Sequence, residues 1–285
     1  MLSSQKRIKT HYSSLKVFSL ISVIISLIAL VGIIAFVIIN GINNVTYDFL
    51  FGKYDNTPSI YPALIGTLNL ILISLVVAAP IGIFSAVFLT EYTNLNSIFM
   101  KIIRVSIETL AGIPSIVYGL FGYLIFVVSF NWGYSLLGGG LTLAIMILPV
   151  IVRSTEESLL SVPNELREGS YALGASKVRT IFKVVIPCAS SGIITSLILA
   201  IGRVLSESAV LILTIGMVVN KVPETFLSAG TSLALDIYYF GSYGYPNEAA
   251  ATAFVLLILV LLINLLAYAV GKFLKKGGNY SENNY

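Results

Sequence analysis

The chain has 285 residues, 57% of them apolar and only 11% charged, with a mean hydropathy of +0.94. Soluble domains carry roughly 45–50% apolar and about 25% charged residues, so the composition excludes a water-soluble core and indicates a polytopic membrane protein. Cys188 and His11 are each alone of their kind, which excludes disulfide frameworks, thiol metal sites and His-dependent triads; a net charge of +4 is too small to indicate nucleic acid.

A hydrocarbon layer about 30 Å thick takes roughly 20 mostly apolar residues per helix. The first such run, 17–39, follows Lys6, Arg7, Lys9 and Lys16. It is longer than a signal-peptide core and no small-residue cleavage site follows, so it is expected to remain as an anchor. Further spans are predicted over about 63–89, 110–130, 136–152, 192–219 and 250–271, giving six transmembrane helices. Pro80, Pro114 and Pro149 interrupt them. In lipid the freed backbone groups must be satisfied by neighbours, so these helices either carry packing kinks or line a cavity. The run Gly138-Gly139-Gly140 reads as a tight entry turn to the fourth span. The apolar stretch 227–239 reads as a short helix at the outer face.

Orientation follows from Lys and Arg. Of the 17, only Lys53 and Lys221 fall on outer loops and Arg203 lies within the fifth span, so both termini are expected in the cytoplasm. The expected organisation is a tail, first helix and outer loop over 1–62, a transmembrane domain over 63–271 with an inner loop at about 153–187, and a cytoplasmic tail over 272–285.

That inner loop carries the most information. Pro163 suits a first helical turn, with Glu165 and Glu168 near its positive end. Gly174 suits a helix stop, and Ser176 can cap a second helix with Val178, Ile181, Phe182 and Val185 facing inward. The product is a short helix–turn–helix that either meets a partner or lies on the lipid surface.

The spacing of Glu168, Gly174, Val184, Ile186 and Pro187 resembles the EAA loop of ABC importer permeases, with Gly169 and Ser170 in place of the two alanines. Gly112-Ile113-Pro114-Ser115-Ile116-Val117-Tyr118-Gly119 resembles the third-span signature of phosphate-specific permeases. So do the run from Leu148 to Glu157 and the run from Ala200 to Ala209. Arg153-Ser154-Thr155-Glu156-Glu157 and Phe88-Leu89-Thr90-Glu91-Tyr92 look more like the A-type (PstA-like) subunits than the C-type. The resemblance implies an all-α, type I ABC importer permease fold, forming half of a phosphate pathway in the cell membrane. It implies that Glu168, Gly169, Gly174 and Pro187 belong to a coupling helix docking on two copies of a cytoplasmic ATPase. It also implies a second, C-type permease and an extracytoplasmic phosphate-binding protein. No G-x-x-x-x-G-K-[ST] loop occurs, so ATP and Mg belong to the partner ATPase, and the chain is expected to hold no cofactor, no metal and no catalytic residue of its own.

From the residues themselves, Arg203 in mid-span is costly, at least about 2.5–3.5 kcal/mol, and so marks a functional site. Glu207, four residues on, is expected to pair with it. The pair is either a gate from which an oxyanion takes over the guanidinium or a static packing tie. Arg153 is either a second anion contact near the exit or a positive-inside anchor. Ser206 and Ser208 either donate to the anion or pack helices. Asp236 and Glu248 read as outer-loop charges, solvated or touching a binding protein. A C-type role, or another oxyanion such as molybdate, is the alternative reading. A membrane-embedded enzyme lacks the convergent titratable groups it would need.

Overall fold

The computed structural model describes residues 2–54, 58–94 and 97–278, and every regular element among them is helical. The end of the expected tail, 279–285, lies outside the described residues. In chain order the helices are α1 (Leu2–Gly41), α2 (Tyr47–Phe51), α3 (Tyr61–Val87), α4 (Ile98–Ala111), α5 (Ser115–Gly122) and α6 (Leu136–Leu160). They continue with α7 (Asn164–Ala172), α8 (Lys177–Thr180), α9 (Ile186–Ser206), α10 (Ala209–Thr214), α11 (Leu233–Ser242) and α12 (Pro246–Gly278). Wider, π-wound turns extend α3 over Phe88–Tyr92, α5 over Tyr123–Ser129 and α8 over Ile181–Val185. Hydroxyl caps set several starts: Thr46, Ser97, Ser135, Ser176 and Ser232 each accept the amide three residues on, satisfying a donor that a helix start leaves free.

Five continuous helical runs are long and apolar enough to cross a membrane: Leu15–Asn44, Tyr61–Tyr92, Leu136–Leu160, Lys177–Ser206 and Pro246–Leu266. The pair Ile98–Ala111 and Ser115–Ser129, bent by 94°, passes the same test only when its two helices are taken together, and makes six when counted as one broken span. Counted so, the six expected spans correspond to these runs, with two differences in bounds. The third begins at Ile98 rather than near 110, because Gly112-Ile113-Pro114 breaks one long crossing into two arms; Pro114 supplies no amide and biases Ile113 away from helix. The fifth belongs to a continuous helical run, Lys177–Ser206, that includes the arm α8 and ends at Ser206 rather than 219. There Glu207 turns extended, with φ −85° and ψ 124°, before α10 resumes.

α3 and α6 share the most extensive interface of the bundle. Gly138, Gly139 and Gly140 do not form a turn; they are buried in the first turns of α6, where a Cβ on Gly139 would sit 2.2 Å from Ile215 and one on Gly140 2.6 Å from Ile73. Bare backbone here lets neighbouring helices approach closely. The main core lies among α3, α5, α6, α9 and α10, around Leu70, Leu143, Ile147 and Leu211. A second cluster, around Met100, Leu159 and Ile181, fills the α7–α8 end. A third, around Phe49, Ile60 and Phe240, fills the opposite end. α1 stands outside these clusters: its side chains through the apolar run are mostly exposed and its main partner is α12. An apolar helix so uncovered is stable only in lipid.

Candidate functional site

Three sets of contacts fix depth along α6. Glycine 140 packs on Ile73 and Gly82 on Ile151, so α3 runs parallel to α6 and Pro80 lies level with Pro149. Thr155 and Ser196 hydroxyls meet at 3.2 Å, and Gly192 abuts Ser158. α9 therefore runs antiparallel, and Arg203, seven residues past Ser196, comes level with Leu148. Arg104 pairs with Glu156 at 2.6 Å and Arg153 with Glu108 at 3.7 Å, which brings Gly112 level with Pro149. Leu148 is the midpoint of α6. Two internal prolines, the break before α5 and the break after α9 thus lie within about one helical turn of one another in depth, near the middle of the bundle. Broken helices at mid-membrane leave backbone groups and helix ends pointing at whatever occupies the centre.

Arg203 sits in the last turn of α9, partly buried, at this level. Among the described residues its guanidinium has no hydrogen-bond or ion-pair partner. The expected pair with Glu207 does not form: the helix ends at Ser206, so the two residues are no longer one turn apart on a common face. Instead the Glu207 carboxylate accepts the Val210 amide at 3.4 Å, at the start of α10. Ser206 is exposed and its hydroxyl donates to the Arg203 carbonyl at 3.1 Å, satisfying a C-terminal acceptor of α9. Tyr118, unremarked as a single residue in the sequence, lies close enough to feel the Arg203 charge. Its hydroxyl donates to the Leu110 carbonyl at 2.8 Å and so ties the two arms of the broken span together.

Arg153 lies nearer the α7–α8 end and is paired, with Glu157 at 3.3 Å as well as with Glu108. It lines a cleft of about 260 Å³ shared with Arg104, Glu108, Glu156 and Glu157. Three carboxylates face two guanidinium groups there, so an anion reaching Arg153 meets like charge and competes with Glu108 and Glu157.

At the α7–α8 end, Gly174 adopts φ +80° just past α7, in the left-handed conformation glycine adopts without steric cost. Pro163 is the cap of α7 rather than its first residue. Ile181 and Val185 face inward as expected, but Val178 and Phe182 are exposed. The π-wound turn after Thr180 rotates the register away from the regular helical spacing on which the inward face was predicted. Glu168, Gly169 and Pro187 are exposed, beside the uncovered Leu166, Tyr171 and Leu173, the last 91% exposed. This is an apolar surface ringed by charge.

Asp236, expected as an outer-loop charge, is fully buried near the start of α11. One oxygen accepts from the Thr231 hydroxyl and the other, Oδ2, has no partner. Burial pushes its carboxyl up to about 8, the Thr231 hydrogen bond acting in the opposite sense. Glu248 is half-buried in the first turn of α12. The sequence did not single out Arg167, which is bound to Glu91 at 2.9 Å; partners 76 positions apart leave no local spacing to read.

Comparison with known proteins bears on these features. The family described as "Binding-protein-dependent transport system inner membrane component" matches residues 78–277. A "Probable ABC transporter permease protein YqgI" from Bacillus subtilis is 36% identical over 278 residues, covering 91% of this chain and 94% of that protein. A "Phosphate transport system permease protein PstA" from Mycobacterium leprae is 34% identical over 280 residues, covering 94% and 90%. Among solved structures, a bacterial alginate ABC transporter in complex with its pentasaccharide-bound periplasmic protein aligns with a TM-score of 0.65 at 18% identity, over 90% of this chain and 95% of that one. The inward-facing MetNI methionine ABC transporter aligns with a TM-score of 0.58 at 22% identity, over 75% and 94%.

Proposed function

The chain belongs to the binding-protein-dependent transport system inner membrane component family, and from that premise we propose that it is the A-type permease subunit of an ATP-driven importer of inorganic phosphate. Relatives named as phosphate permeases support the substrate. The observation that carries it on chemical grounds is Arg203: a guanidinium without a partner among the described residues, held near mid-depth where two crossings break. A fork of N–H donors in low dielectric binds a tetrahedral oxyanion through two parallel hydrogen bonds. Bound phosphate would offset the cost of keeping that charge in the membrane.

The α7–α8 end is cytoplasmic in this reading, on the Lys and Arg asymmetry, and so are both termini. Its exposed apolar rim, with Glu168, Gly169, Gly174 and Pro187, docks on an ATPase subunit. Two such subunits bind and hydrolyse ATP with Mg, a C-type permease supplies the other half of the pathway, and an extracytoplasmic binding protein delivers phosphate to the opposite end. Phosphate leaving Arg203 toward the cytoplasm passes the cleft at Arg153, where it must compete with Glu108 and Glu157. Glu207, holding the start of α10, sets the position of the break. Ser206, whose hydroxyl donates to the Arg203 carbonyl, closes the last turn of α9 on which the guanidinium stands.

ATP-dependent uptake of labelled phosphate into proteoliposomes holding the assembled complex tests this. Uptake that resists excess molybdate and sulfate is the expected result. Uptake of molybdate in preference to phosphate overturns the substrate while keeping the architecture. Absence of any ATP-dependent anion uptake by the intact complex overturns the reading.

A further inference from the structure

We propose that Arg167 and Glu91 form a strut that carries movement of the ATPase-docking element into α3 and so sets how much phosphate each ATP moves; this rests on the coupling role assigned above. α7 has no buried residue, so no apolar side chain roots it in the bundle. Its grip is polar and centred on one guanidinium. Arg167 is 14% exposed and Glu91 7%. The Nε and Nη2 groups of Arg167 both donate to Glu91 Oε1, at 3.2 and 2.9 Å. Nη2 also donates to the Leu159 carbonyl at 3.0 Å, and Nη1 to the Val162 carbonyl at 2.6 Å and Asn164 Oδ1 at 3.4 Å. One side chain thereby joins α7, the last turn of α6 and the end of α3.

Glu91 stands on the π-wound turn Phe88–Tyr92, a looser winding that ends α3 and turns the carboxylate toward α7. The same turn is gripped a second time, by Lys177 of α8, whose ammonium lies 4.7 Å from the centre of the Tyr92 ring. The Ser170 and Thr180 hydroxyls, 2.9 Å apart, hold the two arms of the docking element together, so α7 and α8 pull on that turn as a unit. α3 then runs as one rod from the turn to Pro80, which is level with Arg203. A displacement of α7 is delivered through charge-assisted hydrogen bonds, which resist stretching better than neutral ones, to the depth at which phosphate is held.

The test is Glu91→Gln in the complete reconstituted complex, with ATP hydrolysis and phosphate uptake measured on the same proteoliposomes. The amide keeps an acceptor but removes the charge. The expected result is a complex of normal composition that still hydrolyses ATP, with phosphate moved per ATP reduced about fivefold or more. Glu91→Asp, measured in parallel, keeps the charge on a shorter reach and is expected to recover part of the ratio. An unchanged ratio in the assembled Glu91→Gln complex overturns the strut. So does failure of both variants to assemble, which would make the pair a structural tie. The wild-type complex run alongside separates this from the function itself: if it moves no phosphate, the importer reading fails and not merely the strut.

Discussion

At the scale of single residues, charge and its partners decide what each position does. Arg203 is held at mid-depth with no partner among the described residues, so its removal costs the fold little and takes from the proposed substrate site its main donor. Arg203→Ala is expected to leave the complex assembled and abolish phosphate uptake, and Arg203→Lys, a charge without the fork, to restore only part of it. Wild-type uptake by the alanine variant would refute the binding role. Asp236 is the opposite case, a carboxyl buried with one oxygen unpartnered. In an unfolded chain it ionises near 4, whereas in the fold it holds its proton up to about 8. The folded state thus binds the proton more tightly, and this group makes stability fall as pH rises between about 4 and 8. The melting temperature in detergent is expected to drop over that range, and Asp236→Asn to flatten the drop. Parallel pH profiles for wild type and variant would contradict this.

At the scale of elements, backbone without side chains makes the joints. Gly139 lets α6 lie against Ile215, where an added Cβ would sit at 2.2 Å. Gly139→Ala is expected to destabilise the protein by roughly 1–3 kcal/mol through overpacking. Gly32→Ala, mid-helix with nothing within 4 Å, serves as the control and should not lower the melting temperature, because alanine there removes a glycine entropy cost without a clash. Gly174 has open space around it but φ +80°, so a substitution there strains the turn without clashing. Gly174→Leu is expected to cost about 1–2 kcal/mol locally and to re-aim α8 relative to α7. ATPase co-purifying with that variant in normal yield would show that the turn does not shape the docking element.

For the whole molecule, the crossings and their order were legible from apolar runs about 20 residues long, because lipid forces every spanning segment to satisfy its own backbone. The EAA-like loop was legible because Glu168, Gly174 and Pro187 lie within one contiguous stretch, and the turn at Gly174 is local chemistry. Asp236 was misplaced because its burial depends on α11 folding back beside α3, where the Thr67 hydroxyl accepts the Leu233 amide across 166 residues. Likewise the Arg203–Glu207 pair was expected from helical spacing, and that spacing ended at Ser206.

The sequence by itself determined a membrane permease: where its apolar spanning runs lie, that a motif-bearing loop joins the fourth and fifth of them, and that a guanidinium falls within the fifth. Those properties depend on hydropathy and on spacing within a few turns. Only the tertiary structure decided that the breaks of two crossings and two internal prolines lie within about one helical turn of Arg203 in depth. It alone decided that Arg203 has no ion-pair partner among the described residues while Arg153 is paired with Glu108 and Glu157, and that Arg167 is tied to Glu91. Depth and pairing are relations between helices far apart in the chain, set by which faces pack and in what register, and no local pattern encodes them.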